Sequence, residues 1–192
     1  MDAALRLLES KGFSSLSLRE VTREVGVVPT AFYRHFADME ELGLALVDES
    51  FGALRAMLRE ARSDTRQFEH VIRGSVEILV RYVHANRPQF LFLVRERFGG
   101  VAGIRHAVRS EIRLFSSELA TDLSRFPQLR QWSTEDLQVM SSLIVNTMVS
   151  TVEGILEAPA TSPEAEADVI HTAERQLLMI ALGAGVYKAK AT

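Results

Sequence analysis

The chain has 192 residues, 47% of them hydrophobic and 24% charged, with no cysteine and a formal net charge of -3. That is enough chain to bury a core as one large domain or two small ones, and without cysteine there is no disulfide, no thiolate nucleophile and no Cys-based zinc site. No apolar run approaches the roughly 20 residues of a membrane span, and "MDAALRLLESKGF" has internal charges and no cleavage pattern, so it is no signal peptide and a cytoplasmic protein is the default.

The pattern is helical nearly throughout, with Pro and Gly at joints, no long strand alternation and no repeat; the most linker-like piece is "EAPATSPEAEA", 157–167. The expected fold class is therefore all-α. Ala4, Leu5 and Leu8 make one face of a first short helix, which Gly12 is expected to end in the C′ role. Ser17 is a good N-cap, Glu20 completes a capping box, and Leu16 with Val21 forms a hydrophobic staple. Gly26 stops this second helix, and Pro29 suits the first position of a third, two-turn helix. Phe32 and Phe36, four apart, should point inward together. That leaves Thr30, Ala31, Tyr33 and Arg34 outside. Asp38 with Glu41 opens a long helix to about Arg62. Further helices are expected at about 65–86, 88–97, 101–124, 134–157 and 163–189. Pro88 and Gly99-Gly100 break the middle ones, while Ser133 and Ser162-Pro163 cap the last two.

Two short helices joined by "GVV", the second exposing small and polar residues, make a helix-turn-helix. A recognition helix needs small residues at its tip to approach bases and donors at its flanks for phosphates. Thr30 and Ala31, after Pro29, suit the tip; Tyr33, Arg34 and His35 suit the flanks. Ser17, at a helix N-terminus, offers a hydroxyl and N–H groups to a phosphate, and Arg19, Thr22 and Arg23 follow on the same helix. The first 50 residues carry five basic and nine acidic side chains, so DNA binding must rest on where charges point.

"FSSLSLREVTREVGVVPTAFYRHFADMEELGLALV" resembles the N-terminal domain of TetR-family transcriptional regulators, through Gly12-Phe13, Leu18, Val21, Val25-Gly26-Val27, Phe32-Tyr33, His35-Phe36 and Glu41-Leu42. The resemblance implies about nine helices, a DNA-binding domain at 1–46 and a ligand-binding and dimerisation domain at 47–192. Three departures stand out. Val28 replaces the family's usual Ser or Thr cap, Met39 replaces a common phosphate-contacting Lys, and the chain begins almost inside its first helix, where relatives carry a basic arm. "SLSLREV", "PTAFYRHF", "ELGLALVDES", "RERFGG" and "AVRSEIRLF" look like the FabR and DesT regulators of unsaturated fatty acid synthesis. That likeness implies a long-chain acyl-CoA or related acyl thioester as effector, and no cofactor.

The stretch 88–98 is apolar all round in its first half, which by periodicity favours core, and the resemblance makes the wall of an acyl-chain pocket an equal reading. Phe51, Tyr82, Phe90, Phe92 and Phe115 supply such surface. Arg95 and Arg97, with the stripe Arg105, Arg109 and Arg113, form either a solvated face or a basic rim for coenzyme A phosphates. Arg95 and Glu96 are alternatively an internal salt bridge. The stretch 137–156 mixes apolar with small residues and, with the helix after it, suits a homodimeric four-helix interface. Asn146 within it needs a partner, most simply a backbone bond in the same chain.

Nothing points to an enzyme. His35, His70, His84, His106 and His171 lack metal-ligand spacing, and "GGVAG" and "LGAG" lack the strand a dinucleotide loop requires. The expected protein is a homodimeric repressor of fatty acid desaturation genes on palindromic double-stranded DNA. The alternatives are a repressor of an efflux or catabolic gene answering a different hydrophobic molecule, and a helical module that never touches DNA.

Overall fold

A computed structural model describes residues 1–61, 68–159 and 161–187. Among the described residues there are nine α-helices, two 3₁₀ turns and no strand. The helices are α1 (Asp2–Leu8), α2 (Leu18–Val25), α3 (Pro29–Phe32), α4 (Met39–Ala61), α5 (Phe68–Ala85), α6 (Arg87–Glu96), α7 (Ala102–Leu123), α8 (Thr134–Glu157) and α9 (Pro163–Val186). The expected ends at Arg62, 65–67 and 188–189 lie outside the described residues.

Capping chemistry explains the boundaries. The Ser17 hydroxyl accepts from the Glu20 N–H while the Glu20 carboxylate accepts from the Ser17 N–H, a full capping box at α2. Gly26 ends α2 at φ 75°, a left-handed conformation that costs glycine nothing. Pro29 opens α3. Asp38 accepts from the Glu41 N–H at 2.8 Å, and Glu41 reaches back to the Ala37 N–H to start α4. Ser133 and Ser162 cap α8 and α9 through Asp136 and Ala165.

The chain divides into two compact units, Met1–Ala56 with His84–Ser110 and Met57–Val83 with Glu111–Thr192. The first unit joins the three N-terminal helices to α6 and the start of α7. Its core includes Leu8, Phe13, Leu42, Leu46, Phe92 and Ile104, each worth about 1.5–3 kcal/mol when fully buried. The rings of Phe13 and Phe92 lie 6.2 Å apart. Gly43 is a contact point, because a Cβ there would meet Ile104 at 2.2 Å and Phe13 at 2.9 Å.

Gly12 departs from its expected role. α1 stops at Leu8, and Gly12, at φ -77°, instead opens the 3₁₀ turn Phe13–Ser15. Arg95 on α6 serves the end of α1, donating to the carbonyls of Leu8 at 2.6 Å and Glu9 at 2.9 Å. Glu96 accepts the Phe13 N–H at 2.8 Å. The two α6 residues therefore grip the α1–α2 connection from both ends.

In the second unit α8 packs along α9, helped by Gly154, where a Cβ would approach Val169 at 2.9 Å. Leu123, Leu129, Leu137 and Met140 form one buried cluster, and Val76, Ala173 and Leu177 another. Tyr187 donates to Asp136 at 2.9 Å and packs on Trp132, which ties the end of α9 to the start of α8. That bond to a carboxylate raises the Tyr187 pKa. Contrary to the sequence expectation, α8 is long and apolar enough by length and composition to cross a membrane. Only a third of its most apolar window is buried, and Val139 and Leu143 stay exposed.

Candidate DNA-binding and effector sites

α3 is shorter than its sequence suggested. Pro29–Phe32 is one α turn, and the chain continues through turn bonds from Arg34 to Ala31 and from His35 to Phe32. The reason is local: Val28 offers no side-chain cap, and Asp38 restarts the chain as α4 soon afterwards. Phe32 is buried and Phe36 half-buried, with rings 5.4 Å apart. Pro29, Thr30, Tyr33, Arg34 and His35 are exposed, and Ala31 is half-buried. Tyr33 is 61% exposed, held edge-on against Phe32 at 5.7 Å. Phe32 thus anchors a turn that displays four polar side chains.

α2 contributes less than expected. Thr22 is only 4% exposed, and its hydroxyl donates to the carbonyls of Leu18 and Arg19. It faces the core beside Val21 and does not belong with the outward-facing residues. The Ser17 hydroxyl also donates to the Glu20 carboxylate at 2.8 Å, so the α2 N-terminus already holds an anion. The Lys11 ammonium, the Ser17 hydroxyl and the Ser17 N–H together pull the Glu20 pKa from its ordinary 4.5 to about 2.

This arrangement bears on the charge deficit. Glu20 is paired with Lys11, Glu24 with Arg6 at 3.4 Å, and Asp38 and Glu41 are spent on backbone N–H groups. Arg19, Arg23 and Arg34 are exposed and make no ion pair among the described residues. With these four acids turned to partners and three arginines turned outward, a net-acidic segment can still present cations to a polyanion.

The residues proposed for an effector are divided between the two units. Phe51, Phe90, Phe92, Arg95, Arg97 and Arg109 belong to the first unit, and Tyr82, Phe115 and Arg113 to the second. Phe51, Phe90, Phe92 and Phe115 are buried, and Tyr82 is half-buried. Phe92 serves the core against Phe13, and Arg95 is committed to the α1 carbonyls, not to Glu96. Arg109 donates to the Arg97 carbonyl at 3.2 Å, Arg105 donates to the Gly99 carbonyl at 2.5 Å, and Arg113 is exposed on α7. A concavity of about 350 Å³ opens in the first unit, lined by Met1, Ala4, Val25, Ala31, Phe32 and His35 among others. Another, of about 520 Å³, runs along α8 past Gln138, Val139, Leu143 and Asn146. None of the nine proposed effector residues lines either one.

Residues 1–46 match the family model described as bacterial regulatory proteins, tetR family, and residues 68–180 match the tetracyclin repressor-like C-terminal domain. The chain belongs to the TetR family. It is a DNA-binding regulator, not an enzyme. Among solved structures it is similar to the transcriptional regulator FadR from Bacillus subtilis in complex with stearoyl-CoA, at 12% identity, TM-score 0.71 and 97% coverage of each chain. The fatty acid degradation regulator FadR from Bacillus halodurans matches at 13% identity and TM-score 0.71, over 98% of this chain and 94% of that one. A TetR-family member from Streptomyces coelicolor A3 matches at 19% identity and TM-score 0.61, over 97% and 90%. At these identities the likeness shows the shared fold.

As a TetR-family protein, the chain keeps the helix-turn-helix frame with an uncapped α3 and Met39 at the start of α4. In its second unit Val139 and Leu143 on α8, and Leu178, Leu182 and Val186 on α9, are exposed at four-residue spacing. Asn146 is exposed on α8 near Leu143, and the in-chain backbone bond expected for it is not among the hydrogen bonds of the described residues.

Proposed function

We propose that this regulator represses genes of fatty acid metabolism, reading a palindromic operator as a homodimer and answering a long-chain acyl-CoA. The observation that carries the DNA side is the turn Thr30–His35, which displays Thr30, Tyr33, Arg34 and His35 above the buried Phe32 anchor. Thr30 and Ala31 approach base edges, while Tyr33, Arg34 and His35 meet phosphates or flanking bases. Arg19 adds a backbone contact, and Ser17, whose hydroxyl and N–H are held by Glu20, adds one only by exchanging that carboxylate for a phosphate. The exposed apolar stripes of α8 and α9 support pairing of two copies in a four-helix interface, with Asn146 available to set register.

The acyl-CoA reading is supported by the apolar α6, by the arginines that follow it and by the stearoyl-CoA held by the Bacillus subtilis relative in fold. The sequence likeness to FabR and DesT favours unsaturated fatty acid synthesis genes as targets. Regulation is a linkage: effector and operator each prefer one arrangement of the dimer, and the coupling is reciprocal, typically about 1–3 kcal/mol. α4, which starts in the first unit and continues into the second, is the connecting lever.

Titration of stearoyl-, oleoyl- and palmitoyl-CoA into a labelled operator complex tests the effector. At least one should shift operator affinity by roughly 5- to 150-fold. No shift from any of the three at saturation excludes the acyl-CoA reading. Enrichment of genomic fragments bound by the protein separates desaturation from degradation genes.

A further inference from the structure

We propose that the exposed ring of Phe98, with the guanidinium groups of Arg97 and Arg109, forms a platform that stacks the adenine and holds the phosphates of a coenzyme A thioester. The identity of the ligand rests on the acyl-CoA reading above; the nucleotide-binding chemistry rests on the following geometry.

Phe98 follows the end of α6 and is 69% exposed. A single exposed phenylalanine is ordinary by itself, but this one is braced. The guanidinium carbon of Arg97 lies 5.1 Å from the ring centroid and that of Arg109 lies 5.7 Å away. Both fall within the range in which a cation is attracted to an aromatic face, about 6 Å. A ring covered on both faces could not stay 69% exposed, so stacking surface remains. Base–aromatic stacking needs only such a face, since every base presents a π surface.

The surroundings are fixed by the backbone. Arg109 reaches the Arg97 carbonyl through Nε, so the paired terminal nitrogens of its fork are not needed for that bond. Arg105, one turn earlier on α7, grips the Gly99 carbonyl. The α6–α7 junction is thus pinned at two carbonyls by two α7 arginines, and a preorganised platform loses less entropy on binding.

The local charge suits an anion. Residues 95–110 contain four arginines and one acid, in a chain whose net charge is -3. That acid, Glu96, is only 3% exposed and accepts the Phe13 N–H. The one acid of the segment is thus turned inward, and arginine forks match phosphate oxygens.

The test uses calorimetry with adenosine 3′,5′-bisphosphate, stearoyl-CoA and free stearate on wild type, Phe98→Ala, Phe98→Tyr and Arg97→Ala/Arg109→Ala. Melting curves check the fold, and operator binding is measured in parallel. Wild type should bind the bisphosphate. Phe98→Ala should weaken both nucleotide ligands about ten-fold or more, the size of one base–aromatic stack. Phe98→Tyr should restore them, and stearate should not respond. The double arginine variant should flatten the salt dependence of bisphosphate binding. If stearoyl-CoA binds wild type and Phe98→Ala equally and the bisphosphate does not bind, the platform is wrong while the acyl-CoA reading stands. If the bisphosphate binds through Phe98 and stearoyl-CoA gains nothing over it, the platform stands as a nucleotide site and the acyl-CoA reading falls. If Phe98→Ala weakens only operator binding, the patch is a DNA contact and the proposal is overturned.

Discussion

Glu96, 3% exposed at the end of α6, accepts the backbone N–H of Phe13 at 2.8 Å across 83 residues of sequence. Its other carboxylate oxygen is buried without a hydrogen-bond partner among the described residues, against Gly99, where a Cβ would lie 2.0 Å away. The bond fixes the turn that leads into α2, so α6 and the helix-turn-helix share one anchor.

Removing that anchor should cost stability. Glu96→Ala leaves the Phe13 N–H unpaired, at about 1–3 kcal/mol for a buried unsatisfied donor. Glu96→Gln keeps an acceptor oxygen and should lose less. Gly99→Ala forces Glu96 to shift and should mimic Glu96→Ala. Urea denaturation of both singles and the double should show the double losing less than the sum. Strict additivity would mean that Gly99 does not act through Glu96.

Gly43 makes a steric prediction. Gly43→Ala places a methyl against Ile104, which is buried and has nowhere to swing, and against Phe13. Overpacking of this kind typically costs about 1–3 kcal/mol. An unchanged denaturation midpoint would show that α4 and α7 separate readily there.

Tyr33 and Thr22 should behave oppositely in operator binding. Tyr33→Ala removes an exposed side chain and should leave the melting temperature near wild type while weakening operator binding about ten-fold. Thr22→Ala should leave operator affinity unchanged, because its hydroxyl is spent on α2 carbonyls. Loss of affinity in Thr22→Ala at full stability would return Thr22 to the contact surface. Arg34→Ala should lower the salt slope by about one unit if Arg34 meets a phosphate.

Helix boundaries were legible where a local signal sets them. Ser17 with Glu20, Gly26, Pro29, Ser133 and Ser162-Pro163 all act through bonds within a few residues, and the structure keeps each in its expected role. Gly12 was misread because the end of α1 is served by Arg95, some 86 residues away. Thr22 was legible in principle, since a threonine inside a helix can return its hydroxyl to the carbonyl four residues back, here Leu18. The engagement of Arg95 and Glu96 was not, because periodicity places a residue on a face without naming what that face meets. Phe98 was missed because one aromatic after a buried helix gives no sequence sign of exposure.

The capping network makes a pH prediction. Glu20 has a pKa lowered to about 2 from 4.5 by Lys11 and Ser17. A depressed carboxylate contributes stability that is present above its unfolded pKa and lost as pH falls through the folded one. Wild type should therefore lose more stability than Glu20→Gln between about pH 4.5 and pH 2. Parallel acid denaturation profiles would mean that Lys11 and Ser17 do not hold Glu20 in solution.

The central claim is sequence-specific DNA reading by the turn Thr30–His35. The direct measurement is selection of bound duplexes from a random library by wild type and by Tyr33→Ala, followed by anisotropy titrations over a range of salt. Wild type should enrich a palindrome with half-sites about one helical turn or a small multiple apart, and bind it with a steep salt dependence. Tyr33→Ala should fail to enrich it at matched concentration. Enrichment of no sequence by wild type, or of the same palindrome with equal affinity by Tyr33→Ala, would show that this turn does not read DNA as assigned.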